Sequence, residues 1–192
     1  RRSLPLAPTA RLDSDAAHTA ALEGLVSQGV VEAHRDGREA VFGIAPGQHL
    51  AAAYYRNAIA HHFLLGAIAE IALLEAAEQP AGQRSQAFES AALELRDLLK
   101  FDFYFREREP FLAMLRAELD RLSPEWRERL EAGPEGVQAM LAVLPTLSSD
   151  MLLRPFFEAY AIAADVLAAH GAEVAPESRR WLDECMGLGR QY

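Results

Sequence analysis

The sequence is short of several things, and each shortage closes a possibility. It has a single cysteine, Cys185, in 192 residues. An internal disulfide is therefore excluded, and a lone cysteine fits a reducing compartment. It has a single lysine, Lys100, and 19 basic residues against 28 acidic ones, for a formal net charge of −9. An acidic chain is a poor general binder of DNA or anionic membrane, local patches aside. Aromatics make up only 8%. No signal peptide is visible, because Arg1-Arg2 is followed by Pro5 and Pro8 rather than by an apolar run. A membrane-spanning run is missing too. Such a helix needs about 20 mostly apolar residues. The most apolar stretch, 50–74, is interrupted by Arg56, Asn57, His61, His62 and Glu70.

The familiar catalytic signatures are absent as well. There is no G-x-S-x-G, H-E-x-x-H, Walker A or G-x-G-x-x-G pattern. Nor does any His-x4-Asp occur, the spacing in which an aspartate orients a histidine general base. Two His-x4-Glu matches exist, His18 with Glu23 and His34 with Glu39. The first pair lies five apart on a helix, which turns the side chains away from each other. The second is expected to face across a hairpin at the surface. Chance explains both more simply than catalysis.

What remains is Ala, Leu and helix. The chain is 51% hydrophobic, and the pattern is mainly α: a helical bundle with one β-hairpin near the N-terminus. Residues 50–74 read as its central helix, since Ala, Leu and Ile dominate and no proline intervenes. Leu50, Tyr54, Ala58, Leu65, Ile68 and Ala72 form one apolar stripe; Ile59, Phe63, Ala67, Ile71 and Leu74 form another. Such a helix belongs in a core.

Asp13 or Ser14 caps a first helix to about Ser27, ended by Gly29. Val30–His34 and Glu39–Ile44 flank Asp36-Gly37, a two-residue turn that sets His34 against Glu39. Pro46-Gly47 launches the central helix. Further helices are expected over about 86–100 (capped by Ser85), 110–122, 125–132, 137–144, 150–170 and from Pro176-Glu177 to Gly187. Phe101 to Phe105 alternates with period two and reads as an extended piece or a helix end.

The polar residues Arg56, Asn57, His61 and His62 gather in the first half of 50–74. His61 and His62 point about 100° apart on a helix, so they do not easily share a metal. Asn57 and His61 share a face at i, i+4. A hydrogen-bonded polar stripe is the plainer reading, and a ligand role the sharper one. Helix plus hairpin at 14–44 outlines part of a winged helix, but its helix carries no Lys or Arg, which argues against nucleic acid. Cys185 lies inside a helix and reads as a packing residue.

Tyr54-Tyr55-Arg56-Asn57-Ala58-Ile59-Ala60-His61-His62-Phe63 resembles the C-terminal part of PlsB-type glycerol-3-phosphate acyltransferases. The preceding hairpin, Leu99-Lys100-Phe101-Asp102-Phe103-Tyr104-Phe105, Leu153-Arg154-Pro155-Phe156-Phe157-Glu158-Ala159-Tyr160 and Gly187–Tyr192 are similar to family segments in the same order. His62 stands where the family usually has an apolar residue. The use of arginine over lysine suits a high-GC bacterium such as an actinobacterium.

The resemblance implies a parent enzyme that moves an acyl group from acyl-CoA or acyl-carrier protein to the 1-hydroxyl of glycerol 3-phosphate. Its place would be the cytoplasmic face of the cell membrane. The catalytic His-x4-Asp would lie in an upstream domain of the same protein. Residues 1–12 are then a linker, and 13–192 a C-terminal helical domain (13–45 helix plus hairpin, 46–192 bundle) with no catalytic residue, cofactor or metal. Tyr54, Tyr55, Arg56, Asn57 and His61 become candidates for an interdomain face or a polar network. The alternative is a ligand-sensing or dimerisation module of a helical regulator, for which a basic domain would precede Arg1.

Overall fold

The computed structural model describes residues 15–143, 148–170 and 178–189. They form a mainly α fold with one antiparallel hairpin, and they divide into two compact units, Arg1–His62 and Phe63–Tyr192.

The first unit begins with α1, Asp15–Ser27. Gly29 ends it at φ +70, a conformation that costs glycine nothing. The amide of Gly29 donates to the Val26 carbonyl (2.9 Å) and that of Val30 to Leu25 (3.1 Å), which satisfies two of the helix's last carbonyls. Strands β1, Val31–His34, and β2, Val41–Ile44, follow. Their register corrects the expected two-residue turn. His34 pairs with Val41, not Glu39, and Val31 with Ile44. The loop therefore spans residues 35–40. Charge accounts for the difference: the tight turn would set Arg35 opposite Arg38, a repulsive pair. In the longer loop Arg35 reaches Glu23 on α1. The slip is by two residues, so each side chain keeps its face. Pro46-Gly47 turns the chain as expected, with the Gln48 amide donating to Ala45 (3.0 Å) and Gly47 at φ +77.

The expected single helix over 50–74 is two. α2 runs His49–Ala60 and α3 runs Leu64–Ala77. They differ in burial. In α3, Leu64, Ala67, Ile68, Ala69, Ala72, Leu73, Ala76 and Ala77 are all buried, whereas α2 buries only Ala60. Leu50 and Tyr54 were expected in the core and are instead 86% and 73% exposed. Short helices are held by packing more than by propensity. Packing holds α3; the turn at 61–63, with two weak helix formers in His61 and His62, falls where that burial begins.

In the second unit α3 is the axis. Around it pack α4 (Arg84–Leu99), α5 (Arg108–Leu122), α6 (Trp126–Glu131), α7 (Pro134–Val143) and α8 (Ser148–His170). The last described helix, α9 (Ser178–Gly189), packs on α8. No buried polar side chain occurs among the described residues. Ser85 does not cap α4 as expected. The cap position is Gln83, and Ser85 donates instead to Glu131 at 3.0 Å. Glu131 also accepts from the Gly82 amide (3.0 Å), while Arg84 donates to Gln79 and to the Glu131 carbonyl. This knot fastens the α3–α4 loop to α6. The expected boundaries at Asp13, Pro145, Gly171 and Pro176 lie outside the described residues.

Gly136 shows how tightly α7 meets α6. A Cβ there would fall on the Arg129 carbonyl oxygen and within 2.8 Å of the Ala132 methyl. The first obstacle is backbone and does not rotate away. Gly136→Ala is therefore expected to destabilise the unit by about 1–3 kcal/mol, the usual cost of overpacking. Chemical denaturation reads the loss, and an unchanged midpoint would contradict the close packing.

Several carboxylates are held below their ordinary range by donors in the fold. The Trp126 indole and Arg127 lower Asp120, Arg108 and Arg96 lower Asp97, and the Gly82 amide and Ser85 lower Glu131. On α9, Glu184 is lowered by His170 and Arg180. A carboxylate with a depressed folded pKa stabilises the fold above its unfolded value and loses that contribution as pH falls through the folded one. The ordinary values are 3.8 for Asp and 4.5 for Glu. The melting temperature is expected to be steady near neutrality and to fall once pH drops below about 4.5. Asp120→Asn combined with Glu131→Gln should flatten that fall.

Candidate functional site

The segment singled out by sequence lies on α2 and the turn after it. Its position is fixed within the first unit by Tyr55, whose hydroxyl donates to Gln28 Oε1 (3.2 Å) beyond the end of α1. Tyr54 and Tyr55 meet edge to face, with ring centroids 6.0 Å apart. Arg56 is half-buried and its Nε donates to Asn57 Oδ1 (3.2 Å). Asn57 and His61 are both exposed. The His61 and His62 rings lie against each other, centroids 3.7 Å apart. α2 and the turn after it thus leave Leu50, Tyr54, Tyr55, Asn57, Ile59 and His61 exposed, on more than one side of the helix. The nearby strands leave Val41 and Ile44 exposed as well. This is a mixed surface with aromatic, amide and imidazole groups, suited to recognition more than to bond making.

Other sequence candidates are not brought together. Glu23 pairs with Arg35 rather than His18. His34 sits 3.9 Å from Glu32 and opposite Val41, so the expected His34–Glu39 contact does not form. Cys185 is half-buried on α9. An open groove between α3 and α8 is lined by Ile71, Asp150, Arg154, Phe157 and Glu158. Its arginine already donates to Glu158 at 2.7 Å, so its charge is met within the helix. Among the described residues no three His, Cys, Asp or Glu side chains converge as a metal site. No single helix there is long and apolar enough to cross a membrane.

Sequence reasoning missed one feature. In 99–105 the sequence offers period-two alternation and a family likeness, and neither marks which rings face water. The structure turns this piece outward, so that Phe101 and Tyr104 are 87% and 94% exposed while Phe103 packs on Phe156. Aromatics beside the chain's single lysine were the one signal that could have found it.

Comparison with known proteins decides the family. Residues 1–192 match the glycerol-3-phosphate acyltransferase C-terminal region. The chain belongs to this family. It is also 40% identical over 173 residues to proteins named acyltransferase plsB1 from Mycobacterium bovis and from two strains of Mycobacterium tuberculosis. The match covers 89% of this chain and 28% of each relative, so the chain spans under a third of their length. No solved structure matches it. The chain thus corresponds to the C-terminal region of that family and to a part of these relatives.

Proposed function

We propose that the chain is the non-catalytic C-terminal helical domain of a membrane-associated glycerol-3-phosphate acyltransferase. The parent transfers an acyl group from acyl-CoA or acyl-carrier protein to the sn-1 hydroxyl of glycerol 3-phosphate, at the cytoplasmic face of the cell membrane. The chemistry resides in an upstream domain of the same protein. This domain holds that partner through α2 and the turn after it, where Tyr54, Tyr55, Arg56, Asn57 and His61 are the candidates for the contact.

The observation that carries the reading is the exposure of α2 on opposite sides, Leu50 and Tyr54 on one and Ile59 on the other. Leu50, Tyr54 and Ile59 are left in water there, whereas α3, next in the chain, is largely enclosed. Burying such surface against another domain is worth about 25 cal/mol per Å². The segment 54–63, which carries the family resemblance, overlaps that exposed helix.

The test is an assay of the full-length parent with glycerol 3-phosphate and palmitoyl-CoA. The expected product is 1-acylglycerol 3-phosphate. Acylation of a different acceptor, with glycerol 3-phosphate left untouched, would overturn the proposed reaction.

A further inference from the structure

We propose that the knuckle between α4 and α5, residues 99–107, is a contact with the lipid surface, where Phe101 and Tyr104 enter the headgroup region. It deepens the membrane location proposed above and rests on it.

The knuckle is held rather than loose. The amides of Asp102 and Phe103 both donate to the Leu99 carbonyl, at 3.1 and 3.0 Å. Arg96 clamps the Arg106 carbonyl through Nε (3.0 Å) and a terminal nitrogen (2.8 Å). The Tyr160 hydroxyl donates to Asp102. Phe103 packs on Phe156 (centroids 4.9 Å apart) and Phe105 on Phe111 (5.5 Å). With those two rings turned in, Phe101 and Tyr104 are turned out. The anchoring keeps them from collapsing onto the fold. Leu98 adds exposed aliphatic surface beside them.

The charges favour lipid over a protein partner. Asp97 is engaged by Arg96 and Arg108, and Asp102 by Tyr160. Lys100 stays at the tip, its Nζ 5.3 Å from the centre of the Phe101 ring. Glu107 and Glu109 sit at the start of α5, where the helix dipole offsets acidic charge. Interfaces between proteins are depleted in lysine, whereas a membrane interface accepts it. There the ammonium reaches the headgroups, Tyr sits at their level and Phe lies just below. The whole chain carries −9, so attraction by net charge is not the cause. The aromatic pair supplies the affinity and the lysine orients it.

The test uses the full-length parent with p-benzoylphenylalanine at Phe101 or Tyr104, and Gln138, exposed on α7, as the control position. It is irradiated on vesicles of phosphatidylcholine and phosphatidylglycerol. Lipid adducts at 101 and 104 but not at 138 are expected. Adducts to polypeptide only, no adduct, or equal lipid labelling at 138 would each overturn the proposal. In parallel, Phe101→Ser with Tyr104→Ser should weaken vesicle co-sedimentation at least about tenfold. Unchanged sedimentation of a variant with native melting would also overturn it. Acyl transfer measured in detergent reads the reaction separately, so loss of this contact and loss of the proposed chemistry are distinguishable.

Discussion

Replacing Phe88 by alanine is expected to destabilise the second unit by about 3–5 kcal/mol, more than the overpacking at Gly136 would. Phe88 is fully buried on α4. Its ring lies against Trp126 of α6, centroids 5.2 Å apart, and so joins two of the helices that surround α3. Removing it leaves a cavity flanked by an indole. That indole cannot move in, because its Nε1 is held by Asp120 at 2.8 Å. The neighbours are fixed, so relaxation is limited and the cost belongs at the upper end for aromatic truncation. Urea denaturation followed by tryptophan fluorescence measures it directly. A loss under about 1 kcal/mol would mean that the α4–α6 contact is far looser than close ring packing requires.

Arg56→Ala should behave in the opposite way. Arg56 is half-buried and donates to the neighbouring Asn57, so its removal takes little from the fold. A surface change of that kind normally stays within about 0.5 kcal/mol. If α2 meets the catalytic domain, however, the guanidinium and the amide it orients both lie at the contact. Misplacing that contact is expected to lower acyl transfer by the parent about tenfold, since small displacements remote from the chemistry cost rate steeply. Ile59→Asp, which adds charge to the same face, should do at least as much. The measurement is a pair: turnover of the full-length variants, and melting of each. Equal proportional losses in both would assign Arg56 a purely structural role.

The fold class was legible from composition and spacing because helices dominate and turn residues punctuate them. Gly29, Gly47 and Gly133 each adopt positive φ at or beside a predicted boundary. The hairpin was legible but its register was not. Asp36-Gly37 carries the local signal for a tight turn, and the repulsion between Arg35 and Arg38, together with Glu23 on a different element, overrides it. The continuous apolar run at 50–74 misled in a similar way. Ala, Leu and Ile look alike whether a helix is enclosed, as α3 is, or leaves Leu50 and Ile59 in water, as α2 does. Burial is a property of neighbours that sequence does not name. The candidate site at 54–61 was found through its polar residues and through resemblance. Its apolar half became visible only once α2 was seen to be exposed. The Phe101–Tyr104 knuckle escaped because period-two alternation groups Phe101 with Phe103 and Phe105, whereas the chain turns after Leu99 and leaves Phe101 and Tyr104 out with Phe103 and Phe105 in.

The central claim is that this chain shapes and holds an acyltransferase without performing the transfer. The most direct test gives the isolated 192-residue chain palmitoyl-CoA and glycerol 3-phosphate, beside the full-length parent at equal concentration. Release of CoA and formation of 1-acylglycerol 3-phosphate are expected from the parent, and neither above background from the isolated chain. Turnover by the isolated chain would contradict the claim.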